Sequence, residues 1–467
     1  MFKKKIILIV LIFLFVITII IEKNIGKEQT RFIQNIKYLI PQSIKNFIKE
    51  EVFVHKYKNQ LKKKIIAQGK VIDKNYEELE KIFEYGYSFE FKNSSSEIFK
   101  INSSKLLISK YTLIPLQYTG PRSYIQQYDQ NLFLINGNAD LFFISEKDFE
   151  KKKIIFTKIK TNISELVNEN NNSLIQVKDF LLTDDHIYIS YLNKKTDSCF
   201  ENKLIKGKIS FEKIYFDNFF STNECRKEST PSVGGNLSKF SKNRILLSIG
   251  DYYCYEREKL DFCEKNLTQS DKSFMGKIIA INENNKNFEI ISMGHRNSQG
   301  LFYDFKKDII WSTDHGPDGG DEINVNLNSN NDIKNYGWPI ASYGKHYEGP
   351  GLNKKYEIAP LKKSHADNNF IEPLIYFTPS LGISQIIKLE GFLSDSADEL
   401  FVGSLGFDLD EGDLSLHYFQ LNIENKIISH EIIPVKERIR DIEYIPNLDV
   451  IVLFLETSGS IAIIEKI

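Results

Sequence analysis

Three short polar segments in the second half of the chain carry the residue types best suited to chemistry. They are Gly294–Gly300 (GHRNSQG), Trp311–Asn324 (WSTDHGPDGGDEIN) and Asn335–Pro339 (NYGWP). In the first segment, Arg296 and Asn297 offer a guanidinium and an amide, which suit the binding of carboxylates or quinone oxygens.

The second segment has the composition of an oxygen-rich loop. The ten residues from His315 to Asn324 include three glycines, a proline, two aspartates and a glutamate. Such a loop exposes backbone carbonyls beside carboxylates, and these are the hard oxygen ligands that Ca²⁺ prefers. A tight, well-capped surface turn is the alternative interpretation.

The elements that position these segments read as short β-strands from about residue 86 onward, separated by turns rich in Asn, Asp, Gly and Ser. A turn followed by a compact apolar strand recurs six times, roughly 50–90 residues apart, at Asn131–Ile135, His186–Ser190, Arg244–Ser248, Asp308–Ser312, Glu399–Gly403 and Asp449–Leu453. Radial repetition of four-stranded sheets gives a β-propeller with a repeat of about 40–50 residues plus insertions. A long β-sandwich array is the alternative. No long helical pattern interrupts residues 100–467, which disfavours parallel α/β folds.

The first 23 residues predict a transmembrane anchor. Three lysines, Lys3 to Lys5, precede an apolar run of sixteen residues from Ile6 to Ile21. This is short of the roughly 20 residues that span a bilayer, although flanking lysines can extend the run by snorkelling. No small residues suited to signal-peptide cleavage follow, and the positive-inside rule places the rest of the chain outside the cytoplasm. A cleaved signal peptide and a buried core helix are the alternatives.

Residues 24–85 predict a helical stalk, because apolar residues such as Ile33, Ile36 and Ile40 recur at spacings of three and four. The cluster Lys62–Lys64 either contacts anionic lipid or belongs to a solvated helix face. The predicted organisation is therefore an anchor over residues 1–23, a stalk over 24–85 and a β-propeller over 86–467.

The composition is that of a folded protein. Of 467 residues, 42% are hydrophobic and 26% are charged, which excludes global disorder, a collagen-like repeat and a multi-span membrane protein. The aromatic content of 13% favours β-structure. The net charge of −1 divides into about +11 over residues 1–75 and about −12 over the remainder. A mildly acidic globular part argues against a nucleic-acid partner, and a membrane better explains the basic part.

The four cysteines lie within 65 residues of one another. An even count in an exported domain suggests two disulfides, for which three connectivities exist. The local pairs Cys199–Cys225 and Cys254–Cys263 are favoured, and free buried thiols are the alternative.

Taken together, the three polar segments resemble the glucose/sorbosone dehydrogenase domain of soluble glucose dehydrogenases and aldose sugar dehydrogenases. That family's pattern is G-H-R-N-x-Q-G, then (E/D)-H-G-P-x-G-G-D-E-(I/L)-N, then N-Y-G-W-P, and this chain matches nearly every position in order. The resemblance covers roughly residues 100–467. It implies a six-bladed β-propeller that uses pyrroloquinoline quinone (PQQ) and calcium.

The resemblance also implies roles for individual residues. Contacts with PQQ are implied for Arg296, Asn297, His315, Ser380, Arg438 and Arg440. The last two belong to Arg438-Ile-Arg440-Asp441, which resembles the family's R-x-R-D. Without the resemblance, the two arginines would be interpreted as charges on one face of an exposed strand. Backbone carbonyls of Gly316 and Pro317 would bind the calcium that polarises the quinone, a Lewis-acid role. Asp321 and Glu322 resemble the family's acidic pair at a further, structural calcium site.

The chain departs from the family at three positions. In active members a histidine two residues before a Gly-Gly pair takes the proton of the sugar's anomeric hydroxyl while hydride passes to the quinone, and Ser232 stands in its place here. A family arginine falls on Asn236, and the family's cofactor lysine falls on Gly406. Because serine has no basic lone pair near neutral pH, the motifs indicate three substitute bases: Asp251, Asp314 and His315.

The sequence therefore predicts a membrane-anchored, PQQ- and calcium-dependent oxidoreductase that converts an aldose-type sugar to its lactone. Its expected location is the bacterial inner membrane, with the C-terminal domain in the periplasm and a respiratory electron acceptor nearby. A catalytically inactive propeller of the same family, binding a sugar or an envelope partner, is the main alternative. A calcium-dependent propeller hydrolase such as a lactonase is the other.

Overall fold

The structure is a computed structural model that describes residues 88–101, 104–114, 122–168, 173–197, 199–226, 232–255, 266–327, 332–347, 357–394 and 397–467. All of them belong to the second of two units into which the chain divides, Lys81–Ile467. The predicted anchor over residues 1–23 and the predicted stalk over 24–85 lie outside the described residues and stay predictions. Within the described ranges, no helix is long and apolar enough to cross a membrane.

The described chain is built almost entirely of antiparallel strands. It begins with a hairpin of two long strands, β1 (Ser88–Ile101) and β2 (Ser104–Ile114). A first four-stranded sheet follows, with β3 (Tyr124–Tyr128), β4 (Asn131–Ile135), β5 (Leu141–Ser145) and β6 (Ile154–Thr161). Its helices are short, α1 (Glu146–Glu150) before β6 and α2 (Ile163–Asn168) after it.

Two further sheets of the same kind come next. The second contains β7 (Ser173–Leu182), β8 (His186–Thr196), β9 (Cys199–Lys208) and β11 (Phe216–Ser221), and the two-residue β10 (Lys213–Ile214) pairs with β6. The third contains β12 (Gly234–Phe240), β13 (Arg244–Ile249), β14 (Lys277–Asn282) and β15 (Phe288–Met293).

The remaining strands form three more sheets. The fourth contains β16 (Ser298–Asp304), β17 (Ile309–Asp314), β18 (Asp321–Leu327) and β20 (Ile375–Phe377), while β19 (Lys334–Asn335) extends the third sheet beside β15. The fifth contains β21 (Ile383–Glu390), β22 (Asp398–Ser404), β23 (Leu416–Leu421) and β24 (Ile427–Ile433). The sixth contains β25 (Ile439–Ile445), β26 (Val450–Leu455) and β27 (Ser460–Lys466), and β2 completes it.

The six sheets close into a ring. The hairpin joins the two ends, because β2 pairs with β27 of the sixth sheet and β1 pairs with β6 of the first. The first strands of the sheets, β3, β7, β12, β16, β21 and β25, contact one another in a closed circle. This all-β arrangement is that of a β-propeller, and each sheet is called a blade below.

The core lies between the blades. Each of six apolar clusters among the described residues combines side chains of two adjacent blades; one example joins Leu246 of the third blade to Leu301 and Ile310 of the fourth. The six apolar segments predicted from the sequence all coincide with or overlap the second strand of a blade. These strands are covered on both faces, which explains their continuous apolar runs.

One predicted disulfide is confirmed. Cys199 at the start of β9 is bonded to Cys225, which follows β11 in the same blade. Cys254 is disulfide-bonded as well. Its predicted partner, Cys263, lies outside the described residues.

Candidate functional site

One end of the propeller gathers the residues singled out by the sequence. Because each blade has four antiparallel strands, all six first strands run in the same direction. The loops before the first strands and those between second and third strands therefore meet at one end of the ring. Ser232, Arg296 and Arg438 come from loops of the former kind, and Asp251 and His315 from loops of the latter.

The first strands carry register irregularities near this end. Five of the six break register with the second strand, and the breaks leave Lys178, Asn236, Gln299, Gln385 and Arg440 at or within the irregular positions. A β-bulge bends the strand and changes the direction of a side chain, and bulges are frequent beside active sites. These irregular positions fall at similar heights around the ring and supply it with polar side chains.

The bulged residues connect two of the predicted cofactor residues. Arg440 Nη1 donates to Gln299 Oε1 at 3.1 Å, and Gln299 Nε2 donates to Asn297 Oδ1 at 3.0 Å. Asn297 Oδ1 also accepts the backbone N–H of Gly234 at 3.1 Å. The structure thus brings Asn297 and Arg440 to one polar network, although they are more than 140 positions apart in the chain.

The two arginines of the R-x-R-D segment share one carboxylate. Arg440 is paired with Glu456, and Arg438 Nη2 lies 3.3 Å from Glu456 Oε1. The Arg438 guanidinium also lies over the ring of Phe407, 4.5 Å from its centroid. Glu456 holds both guanidinium groups in place, but one carboxylate does not neutralise two cations.

Arg296 is fixed from several sides. Its Nη1 donates to the backbone oxygen of His315 at 2.9 Å, and its guanidinium lies 5.6 Å from the ring centroid of Trp338. Asp314 accepts the backbone N–H groups of both Arg296 and Asn297, and its Oδ2 lies 3.1 Å from His295 Nδ1. Asp314 therefore positions the segment that carries the two predicted cofactor contacts.

Ser232 and Asp251 form a buried pair. Both are fully excluded from solvent, and Ser232 Oγ donates to Asp251 Oδ1 at 2.7 Å. Asp251 Oδ2 accepts the indole N–H of Trp338 at 2.8 Å, and Oδ1 accepts the backbone N–H of Tyr253 at 2.9 Å. The carboxylate ties three segments together, which is a positioning role.

One ring nitrogen of His315 is held by a backbone contact. Its Nε2 contacts the backbone oxygen of Ile383, which is an acceptor, so Nε2 carries the hydrogen and Nδ1 carries the lone pair of the neutral ring. Burial lowers the pKa of His315; Asp321 opposes this shift, while Arg296 and Arg440 reinforce it. The imidazole is thus held neutral beside two arginines.

The predicted calcium residues separate into two groups. Asp321 accepts the backbone N–H groups of Gly316 and Ile383, both at 2.9 Å. The next residue, Glu322, faces the other side of the strand. There it accepts a hydrogen bond from Asn324 and lies 3.3 Å from His365 Nε2. The side chains of Asp321 and Glu322 therefore lie on opposite faces of β18, and calcium binding by either stays a prediction.

The backbone carbonyls of Gly316 and Pro317 are the predicted ligands of the calcium ion beside the cofactor. The described residues contain no group of three or more His, Cys, Asp or Glu side chains that could hold a metal ion. Ser380 Oγ donates to the backbone oxygen of Pro317 at 3.4 Å, which places the predicted cofactor hydroxyl beside the predicted calcium loop. Calcium binding by the carbonyls of Gly316 and Pro317 stays a prediction.

Below this site, a cavity of about 460 Å³ continues along the axis between all six first strands. Three carboxyl groups of the first strands, Asp179, Asp441 and Glu443, each accept a backbone N–H of a neighbouring first strand. Burial raises the pKa of all three, that of Asp441 to about 7. These carboxyl groups link neighbouring first strands by hydrogen bonds, and all three residues line the cavity.

Comparison with known proteins assigns the family. Residues 161–463 match the model of the Glucose / Sorbosone dehydrogenase family. The chain belongs to this family. This confirms the resemblance drawn from the three polar segments.

Individual relatives agree with this assignment. The chain is 30% identical to an uncharacterized protein of Synechocystis sp. over 50% of its own length and 56% of the relative's. It is 31% identical to the aldose sugar dehydrogenase YliI of Escherichia coli over 39% of its own length and 45% of the relative's. The chain thus spans about half the length of the curated relatives it matches.

The fold is also shared with a solved structure. The apo-form of the soluble aldose sugar dehydrogenase of Escherichia coli superposes with a TM-score of 0.56 at 18% identity, covering 77% of this chain and 99% of that one. At this identity the likeness concerns the fold. It supports the propeller described above.

Within the Glucose / Sorbosone dehydrogenase family, this chain has a structural reason for lacking the lysine that the family places at Gly406. A Cβ at Gly406 would overlap the carboxylate of Asp413. Asp413 Oδ2 accepts the backbone N–H groups of Phe407 and Asp408, at 2.7 and 3.0 Å. The loop after β22 is therefore built around a residue without a side chain.

Several residues of the site were not found from the sequence. Gln299 was visible in the G-H-R-N-x-Q-G motif, and Trp338 in N-Y-G-W-P, but neither had been given a role. Glu456, Arg122 and Lys178 lie outside every motif, and no sequence signal distinguishes them from surface charges. Their place at the site follows from the closure of the ring.

Proposed function

We propose that this protein is a PQQ- and calcium-dependent dehydrogenase that oxidises an aldose-type sugar at its anomeric carbon to the lactone. Membership of the Glucose / Sorbosone dehydrogenase family supports sugar oxidation as the activity. The network of Asn297, Gln299 and Arg440 carries the proposal, because it joins two predicted cofactor residues at one end of the channel.

The side chains at this end fit an acidic quinone. Three guanidinium groups, those of Arg296, Arg438 and Arg440, and the amide of Asn297 are donors suited to carboxylate and carbonyl oxygens. When bound, PQQ would supply the electron-accepting carbonyl chemistry. The protein's own part is to hold and orient: Glu456 fixes the paired arginines, and Asp314 fixes the backbone beneath Arg296 and Asn297.

The proton of the sugar hydroxyl needs an acceptor, and His315 is the proposed one. Of the three substitute bases, Asp251 and Asp314 are both engaged in several hydrogen bonds that position other segments. The contact of His315 Nε2 with Ile383 leaves the lone pair of the neutral ring on Nδ1. A positioned base of this kind contributes about 10²–10⁴ in rate.

The location proposed for this activity is the outer face of a bacterial inner membrane. The lysine-flanked apolar run over residues 6–21 supports an anchor. The Cys199–Cys225 disulfide supports an oxidising compartment, where such bonds persist. A membrane tether would hold the enzyme near a respiratory electron acceptor.

The experiment is reconstitution of the full-length protein in detergent with PQQ and Ca²⁺, followed by dye reduction with a panel of aldoses. We expect sugar-dependent dye reduction that falls by about 100-fold or more in Arg296→Ala, because a charged donor at the site is lost. Arg244→Ala is the matched control, since Arg244 pairs with Glu289 on the outer part of the third blade. Equal rates in both variants would contradict the proposal.

A second candidate function is binding without turnover. Ser232, which stands at the family's base position, is buried and bonded to Asp251, so no imidazole occupies that place. Tight PQQ binding with no dye reduction for any aldose would favour this function. Dye reduction by the wild type that falls by about 100-fold or more in His315→Gln would favour the enzyme, because a positioned base is lost. A PQQ titration of the same variant measures the contribution of the predicted contact between His315 and the cofactor.

A further inference from the structure

Lys178 has a buried stem and an amine that no described residue pairs with. It lies on β7, the first strand of the second blade, and only 4% of its surface is exposed. Its ammonium group makes no hydrogen bond or ion pair with any of the residues that the structure describes. The Nζ atom is not fully buried, so the stem of the side chain is enclosed while its amine stays accessible to a ligand.

The local fold directs this side chain towards the site. Lys178 lies at a register break between Val177 and Asp179, where β7 carries one more residue than β8. Its aliphatic stem packs against Gly235, where a Cβ would overlap the stem. The second glycine of the Gly-Gly pair therefore makes room for Lys178.

The neighbours of the ammonium group are mostly cations. Lys178 lies within electrostatic range of Arg122, Arg440 and Glu456, from the first and sixth blades. Arg122 Nη1 donates to the neutral amide of Gln176, so this arginine has no carboxylate partner in that contact. Glu456 is already shared by Arg438 and Arg440.

The charge balance at this end of the channel is therefore positive. Three guanidinium groups, those of Arg122, Arg438 and Arg440, lie within electrostatic range of the carboxylate of Glu456, as does the amine of Lys178; Asp413 also lies near Arg438. The carboxyls of Asp179 and Asp441 lie next in sequence to Lys178 and Arg440, but burial raises their pKa, which reduces their negative charge. Burial, Arg122 and Arg440 also lower the pKa of Lys178 well below its usual value, against the effect of Glu456.

We propose that Lys178, together with Arg122 and Arg440, forms a carboxylate-binding site at the mouth of the channel. A bound carboxylate would accept a hydrogen bond from the Lys178 amine, favour its charged form and offset the repulsion between the two guanidinium groups. This inference rests on the proposed function where the carboxylate belongs to the cofactor. A sugar acid offers the same group and is the other source.

Lys178 lies in a different blade from Gly406, the position to which the resemblance assigns the family's cofactor lysine. The loop at Gly406 has no space for a side chain, so the fifth blade supplies no lysine from that position. Lys178 brings an amine to this end of the channel from the second blade. The family motifs do not indicate a role for Lys178, because this residue lies in none of them.

The test is ligand-dependent thermal unfolding of the full-length protein, with PQQ, glucuronate and glucose as probes. Wild type is compared with Lys178→Met, Lys178→Arg and the control Lys239→Met, whose lysine is a surface residue paired with Asp184. Loss of one charged hydrogen-bond donor should weaken carboxylate binding by about 10- to 100-fold in Lys178→Met. Lys178→Arg should retain part of the affinity, and Lys239→Met all of it.

The outcomes separate the site from the proposed function. Stabilisation by PQQ that is reduced in Lys178→Met supports the carboxylate site and the proposed function. Stabilisation by glucuronate but not by PQQ supports the site with a sugar acid as its ligand, and it contradicts the proposal that PQQ is the cofactor. PQQ stabilisation that is equal in wild type and Lys178→Met overturns the site and leaves the dehydrogenase proposal intact. No response of the wild type to either acid also overturns it. If Lys178→Met does not fold, the affinities of Lys178→Arg and Arg122→Leu decide.

Discussion

Arg440 Nη1 and Gln299 Oε1 are 3.1 Å apart, although their strands, β25 and β16, are separated in the ring by β21. The hydrogen bond therefore passes in front of the fifth blade and crosses part of the channel mouth. Gln299 also bonds Asn297, so one amide side chain fixes the relative position of two predicted cofactor residues.

Gln299→Leu should disconnect these two residues while leaving the propeller folded. We expect PQQ-dependent dye reduction to fall by about 10- to 100-fold, because the guanidinium and the amide lose their common orientation. Steady-state kinetics and PQQ titration measure the effect, and Gln130→Ala, in the exposed turn between β3 and β4, is the control. An unchanged affinity for PQQ and an unchanged rate would show that the network has no part in binding or turnover.

Ser232→Ala should lower the stability of the protein. The substitution removes the hydroxyl that donates to Asp251 and leaves a buried carboxylate oxygen with one donor fewer. The expected loss in the free energy of unfolding is about 1–3 kcal/mol. Urea unfolding measures it against Ser94→Ala, where the serine is exposed on β1. Equal stabilities of the two variants would argue against a structural role for the Ser232 hydroxyl.

Gly406→Ala should be more damaging than an ordinary glycine substitution. Its Cβ would overlap Asp413, whose carboxylate organises the loop after β22. Overpacking of this kind costs about 1–3 kcal/mol in the free energy of unfolding. Gly137→Ala is the matched control, because the nearest atom to its Cβ, the backbone oxygen of Arg122, is 3.4 Å away. If both variants unfold at the same denaturant concentration, the overlap is relieved without cost.

The contribution of Asp441 to stability should decrease with rising pH. Burial raises the pKa of Asp441 from 3.8 to about 7 in the folded protein. The folded state therefore holds this proton more tightly than the unfolded chain, and stability falls between about pH 4 and pH 7. We expect wild type to lose stability relative to Asp441→Asn across this window. Urea unfolding at pH 4.5, 6 and 8 measures the difference, and a constant difference would contradict the assigned shift.

Removal of the Cys199–Cys225 disulfide should destabilise the second blade. The bond closes a loop of 26 residues, for which chain-entropy arguments give about 3.5 kcal/mol. Denaturant unfolding of Cys199→Ala/Cys225→Ala against wild type measures the loss. A change below about 1 kcal/mol would mean that the unfolded chain is little restrained by this bond.

The repeating unit and the family could be predicted from the order of the residues alone. Second strands such as β4 and β26 are covered on both faces, so their apolar runs are continuous and visible without a structure. The motif around Arg296 was equally visible, because its residues are contiguous in the chain. The anchor over residues 1–23, the stalk and the calcium site stay predictions.

The assembly of the site could not be predicted in this way, because it depends on contacts between segments that are distant in the chain. The contact between Arg440 and Gln299 and the proximity of Lys178 to Arg122 and Arg440 join residues from different blades. The carboxylate of Glu456 is shared by two arginines of its own blade that lie 16 and 18 positions away in the chain. The separate directions of Asp321 and Glu322 depend on the register of β18. Such relationships arise when the ring closes, since closure brings together positions whose separation along the chain carries no local signal.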